Sequence, residues 1–127
     1  MRADSVRVER VPGAWEIPVV LAALAATHGY DGLVALGAVV RGETAHFEIV
    51  AAEAARGAAE VARTSGVPVA LGILACDTAA QALARAGGEH GNQGEEAALA
   101  ALETAGVLAR VREETANRAR GRAPSAG

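Results

Sequence analysis

Residues 33–50 read LVALGAVVRGETAHFEIV, and the fold turns on how that stretch divides. Leu33 to Val40 is a near-continuous run of apolar and small residues, the pattern of a parallel strand covered on both faces. Arg41, Gly42, Glu43 and Thr44 interrupt it with charge, a glycine and a hydroxyl. His46 then opens "HFEIVAAEAARGAAEVARTSG", in which Ile49, Val50, Ala54, Ala58 and Val61 fall near one helical stripe and Gly66 supplies a stop. A buried strand, a polar loop and a helix in that order belong to a parallel β-α-β arrangement.

The same alternation extends in both directions. Upstream, "SVRVERV" (5–11) sets Val6, Val8 and Val11 against charged neighbours and predicts a first strand. "VPGAWEIP" (11–18) reads as a turn, and Pro18 suits the first turn of a helix that ends near Gly29. Downstream, "VPVALGIL" (67–74) predicts a third strand. Asp77 or Thr78 can cap a short helix, "AAQALARAG" (79–87), that stops at Gly87-Gly88. Asn92 and Glu95 have capping-box spacing and open a last helix. From about Thr115 the chain lacks apolar residues, which predicts a disordered tail over 115–127. The expectation is one α/β domain over 1–114, layered α/β/α on a parallel sheet. Ligands of such folds bind beyond the carboxyl ends of the strands. That draws together the loops at 12–16, 39–46 and 75–78.

Composition narrows the chemistry. The chain has 127 residues and a net charge of −3, which offers no electrostatic case for nucleic acid. No apolar stretch is long enough to span a bilayer, and the charged, alternating N-terminus does not read as a signal peptide. Cys76 is alone, which excludes an internal disulfide and a cysteine-rich zinc site and fits a reducing cytoplasm. All 12 basic residues are arginine. Without lysine, neither an enzyme-borne Schiff base nor a standard P-loop can form. Any imine chemistry needs an amine from a substrate.

The 41–46 loop carries a physical logic of its own. It precedes a helix, where free N–H groups and the helix dipole favour an anion. Gly42 lets backbone approach a phosphate closely, while Thr44 can serve equally as an N-cap. A histidine in the first helical turn is ordinarily solvated surface, yet imidazole is also the side chain best suited to proton transfer near neutral pH. Arg85 can be a solvated charge or a phosphate fork. Trp15 can be core, and Glu16 a favourable charge in a helix's first turn.

Five segments taken together go further. "VPGAWEIP" (11–18), "YDGLVALGAVVRGETAHFEIV" (30–50), "GVPVALGIL" (66–74), "DTAAQALARAGG" (77–88) and "GNQGEEAALAALE" (91–103) closely resemble, in order and spacing, the lumazine synthase family, which performs the penultimate step of riboflavin biosynthesis. The resemblance covers roughly residues 5 to 110. It implies a flavodoxin-like strand order lacking its first strand-helix unit, a transferase activity, and neither metal nor organic cofactor. The reaction implied is condensation of 5-amino-6-ribitylaminouracil with 3,4-dihydroxy-2-butanone 4-phosphate. The products are 6,7-dimethyl-8-ribityllumazine, phosphate and water.

By the same resemblance, Ala14, Trp15 and Glu16 hold the pyrimidine and its ribityl chain, and Ala38, Val39 and Val40 meet the pyrimidine. Gly42, Glu43 and Thr44 receive the phosphate substrate with Arg85, and His46 transfers the proton. Leu71 stands where the family usually carries Phe, so a stacking surface becomes an aliphatic contact. Gln93 stands where it usually carries Lys. The family assembles as pentamers, sometimes as a 60-subunit shell, with sites shared between subunits. The unit preceding Ser5 in the family contributes an inner strand and an aromatic wall of the site. Its absence from this sequence keeps two other readings open: a weak or inert assembly subunit, and a non-catalytic phosphate- or flavin-binding α/β module.

Overall fold

The computed structural model describes residues 6–40, 46–76, 86–88 and 91–121. A single 3₁₀ turn, Ala14–Glu16, leads directly into helix α1, Ile17–Ala26. Strand β1 spans Leu33–Val40, helix α2 His46–Ser65 and strand β2 Val69–Cys76. Two short strands, β3 (Ala86–Gly88) and β4 (Gly91–Asn92), precede helix α3, Gln93–Ala119.

β1 and β2 pair in parallel from Leu33↔Val69 to Val40↔Cys76, with the Leu33 N–H donating to the Pro68 carbonyl at 2.8 Å. Consecutive strand residues point to opposite faces. Leu33 and Ala35 accordingly join Ile17, Leu21, Ala25, Ala58 and Val61 in one buried cluster, with Val69 and Ile73 packed at its margin. Ala70, the next residue after Val69, belongs instead to a second cluster with Ala97 and Ala101 of α3. Helices α1 and α2 therefore cover one face and α3 the other. The expected α/β class, a parallel sheet in a layered α/β/α arrangement, is borne out.

Four sequence expectations need correction. Residues 6–11 form no strand. Val6 and Val8 are 50% and 70% exposed, and a strand pattern without a neighbouring ladder has nowhere to send its backbone hydrogen bonds. What ties this segment down is Arg7, which donates to the Tyr30 hydroxyl at 3.1 Å and to Glu9 Oε1 at 2.9 Å. The Tyr30 bond and then the Glu9 carboxylate push the guanidinium further above its usual range. Along α2 the buried stripe is Phe47, Ala54, Ala58 and Val61, whereas Ile49 is exposed; Ile49 lies off the face that the other four share.

Ala86–Gly88, expected as the end of a short helix, pairs antiparallel with Gly91–Asn92. The glycines at 87, 88 and 91 let the backbone double back within a few residues. The rest of that expected helix, 79–85, lies outside the described residues. Finally, α3 continues past 114 to Ala119. Loss of apolar periodicity at Thr115 does not end a helix whose surface residues are good helix formers. The stop is Gly121, in the left-handed conformation at φ 75, whose N–H donates to the Arg118 carbonyl at 3.0 Å. The remaining tail, 122–127, lies outside the described residues.

Candidate functional site

The register that pairs Val39 with Ala75 and Val40 with Cys76 brings the carboxyl ends of β1 and β2 side by side. The chain leaves β1 toward the 41–46 candidates and β2 toward Arg85 from this end. Of those residues, Gly42, Glu43, Thr44 and Arg85 lie outside the described residues. His46 is the first residue of α2 and is exposed. Helix dipoles put partial positive charge at such a terminus. Ala38 is exposed and Val39 half-buried; Val40 closes the strand. Leu71 is 41% exposed, an aliphatic surface on β2 opposite Ala35.

The 12–16 segment is positioned from both ends. Glu16 N–H donates to the Gly13 carbonyl at 3.2 Å, closing the turn. Ile17 then begins α1 with Pro18 in its first turn, where a missing N–H costs nothing. Ala14 is half-buried and packs at the edge of the main cluster. Glu16 is half-buried, and Trp15 is 59% exposed.

Trp15 forms part of a groove of about 300 Å³ between the start of α1 and the middle of α2. Pro18 and Val19 share its near wall, and Glu53, Arg56, Gly57 and Glu60 form the far one. Arg56 Nη1 and Glu53 Oε1 are 3.2 Å apart. Glu53 stands about two helical turns beyond His46, or roughly 10 Å along the axis. The structure thus sets Trp15 against the body of α2, with His46 at its end. Sequence reasoning placed Trp15 and His46 near one end of the sheet but missed the α2 side of this groove. Residues 53 to 60 lie far from Trp15 in the chain, and no local spacing signals such a contact.

Among the described residues, no group of three or more His, Cys, Asp or Glu side chains could hold a metal ion, and no helix is long and apolar enough to cross a membrane. Those residues offer an aromatic surface, a histidine at a helix start and backbone at two parallel strand ends. Such an arrangement suits a planar ligand and proton transfer.

Comparison with known proteins adds the decisive observation. Residues 1–109 match the family model of 6,7-dimethyl-8-ribityllumazine synthase. The chain belongs to that family. The 6,7-dimethyl-8-ribityllumazine synthase of Gemmatimonas aurantiaca is 57% identical over 100 residues. That match takes in 79% of this chain and 61% of the relative's length. The chain therefore spans about three fifths of the curated lumazine synthase it resembles. All five motif segments fall inside the matched region, as do Trp15, His46 and Arg85.

Proposed function

We propose that this chain carries the lumazine synthase reaction: condensation of 5-amino-6-ribitylaminouracil with 3,4-dihydroxy-2-butanone 4-phosphate, releasing 6,7-dimethyl-8-ribityllumazine, phosphate and water. The observation that carries this reading is the family match over residues 1–109. It is supported by a parallel sheet whose strand ends meet where the motif loops leave.

In this reading Ala14, Trp15 and Glu16 hold the pyrimidine and its ribityl chain: Trp15 offers its exposed indole face to the pyrimidine, and Glu16 accepts hydrogen bonds from ribityl hydroxyls. Backbone groups of Ala38, Val39 and Val40 meet the pyrimidine, and Leu71 adds an aliphatic contact. Gly42, Glu43, Thr44 and Arg85 bind the phosphate substrate. His46 shuttles protons as the imine forms, phosphate leaves and the ring closes. The amine of the imine belongs to the pyrimidine substrate, in keeping with a chain that contains no lysine. No metal or organic cofactor takes part. Pentamers or a 60-subunit shell, with sites shared between neighbouring copies, complete the assembly in a reducing cytoplasm.

The test is a steady-state assay of the purified, folded chain with both substrates, following the lumazine product by absorbance. Turnover at the level of a full-length family member is expected. Folded chain that binds neither substrate overturns the reading, and one that binds the pyrimidine without turnover reduces it to an inert subunit or binding module. His46→Ala is expected to lower kcat by about 10²–10⁴-fold, the usual contribution of a positioned general acid-base. An unchanged kcat removes His46 from the mechanism.

A further inference from the structure

We infer that Gly57 is a positioning residue for Trp15: its lack of a side chain lets Pro18 seat against α2, and that contact sets where the neighbouring turn holds the indole. A Cβ added at Gly57 would stand 2.6 Å from both Cβ and Cγ of Pro18 and 4.0 Å from its Cα. Unbonded carbons settle about 3.5–4.0 Å apart, so the added atom would overlap by roughly an ångström. Proline has no rotamer with which to swing clear. Its helix cannot retreat freely either, because Ile17, Leu21 and Ala25 are anchored in the core. On α2, Ala54 and Ala58, on either side of Gly57, are 0% and 1% exposed, so α2 is equally fixed. The strain would fall on the first turn of α1 and on the segment just before it.

That segment is Ala14–Glu16. Trp15, Pro18 and Gly57 line the same groove, and the turn packs against both α2 and β1. Glycine weakens a helix interior relative to alanine, so its place in the middle of α2 is explained by this close approach. The contrast is Gly106 in α3, where an added Cβ meets nothing within 4 Å. As a statement about the reaction, the inference rests on the proposed function. As a statement about Trp15, it stands without it.

Trp15 is the sole tryptophan of the chain, so intrinsic fluorescence reports its surroundings directly. The full-length Gly57→Ala chain is expected to show a shifted Trp15 emission maximum and altered acrylamide quenching, with helix content by circular dichroism unchanged. Adding Pro18→Gly, which removes both contacting side-chain atoms, is expected to restore the wild-type values; Pro18→Gly alone is the control. Titration with 5-amino-6-ribitylaminouracil is expected to quench Trp15 less tightly in Gly57→Ala and to recover in the double variant, while inorganic phosphate binding is unchanged.

Wild-type emission and quenching in a folded Gly57→Ala chain overturn the inference. So does a double variant that restores nothing. If Gly57→Ala alone does not fold, recovery of folding with native Trp15 emission in the double variant supports the contact, and failure to recover overturns it. A wild-type chain whose Trp15 does not respond to the pyrimidine counts against the proposed function, while the emission comparison still decides the role of Gly57.

Discussion

The two faces of the sheet are built from similar residues to very different effect. On the α1/α2 face, Ile17, Leu21, Ala25, Leu33, Ala35, Ala58 and Val61 close into one cluster. On the α3 face, among the described residues, only Ala70, Ala97 and Ala101 are buried together, although α3 is the longest helix described, at 27 residues. Of its larger apolar side chains, Leu108 is half-buried, and Leu99, Leu102, Val107 and Val111 are exposed. Stabilisation follows apolar area removed from water, at about 25 cal/mol per Å², so methyl groups under a long helix contribute less than branched chains under a short one. The first face holds its helices by packing. The second depends less on packing, and α3 is also tied to the end of α2 by Arg112, which donates to the Gly66 carbonyl at 2.9 Å.

The strongest challenge to this comparison is Leu21→Ala. Truncating a core leucine costs about 2–5 kcal/mol, and urea unfolding should show a loss in that range. A loss near zero would mean that the α1/α2 core is not what holds the fold. Gly106→Ala comes next, with the opposite sign. Open space at that position leaves only the helical preference for alanine, and stability should rise by about 0.4–1 kcal/mol in thermal unfolding. A loss at Gly106 would show that α3 is packed where the structure leaves it open. Set beside Gly57→Ala, it separates a glycine that a neighbour requires from one that nothing requires. The smallest effect is expected for Leu102→Ala, within about 0.5 kcal/mol because the side chain is 47% exposed. A cost in the Leu21 range would show that another surface covers this face in solution.

Much of the architecture was legible locally. An apolar run marked β1 as a strand, and the shift to polar residues after Val40 marked its end; the cover expected on both faces is close on one only, since Leu33 and Ala35 are buried while Val34 and Leu36 are 38% and 57% exposed. Pro18 marked the start of α1, while Gly66, at φ 75 with its N–H donating to the Ala62 carbonyl at 2.9 Å, marked the end of α2. The end of α1 read less well. His28 rather than Gly29 takes the left-handed conformation there, at φ 55, and Thr27 Oγ1 accepts the Gly29 N–H at 3.1 Å. Val6, Val8 and nearly Val11 had the alternation of a strand, and residues 6–11 formed none, since alternation describes a segment and a ladder needs two.

The candidate site divides in the same way. Residue types at 41–46, together with the order of the five motif segments, pointed to an anion, a proton-transferring histidine and one family. These are properties of short stretches, carried by the residues themselves, and so is the absence of lysine, which excludes a lysine-borne Schiff base. The groove that Trp15 lines could not be read that way. Its walls include Pro18 and Gly57, distant in the chain, which meet with no room for one more carbon. Helix periods, caps and loop chemistry are set by near neighbours and can be read along the chain. Ladder partners and close contacts are set by which surfaces meet, and they emerge only when the chain has folded.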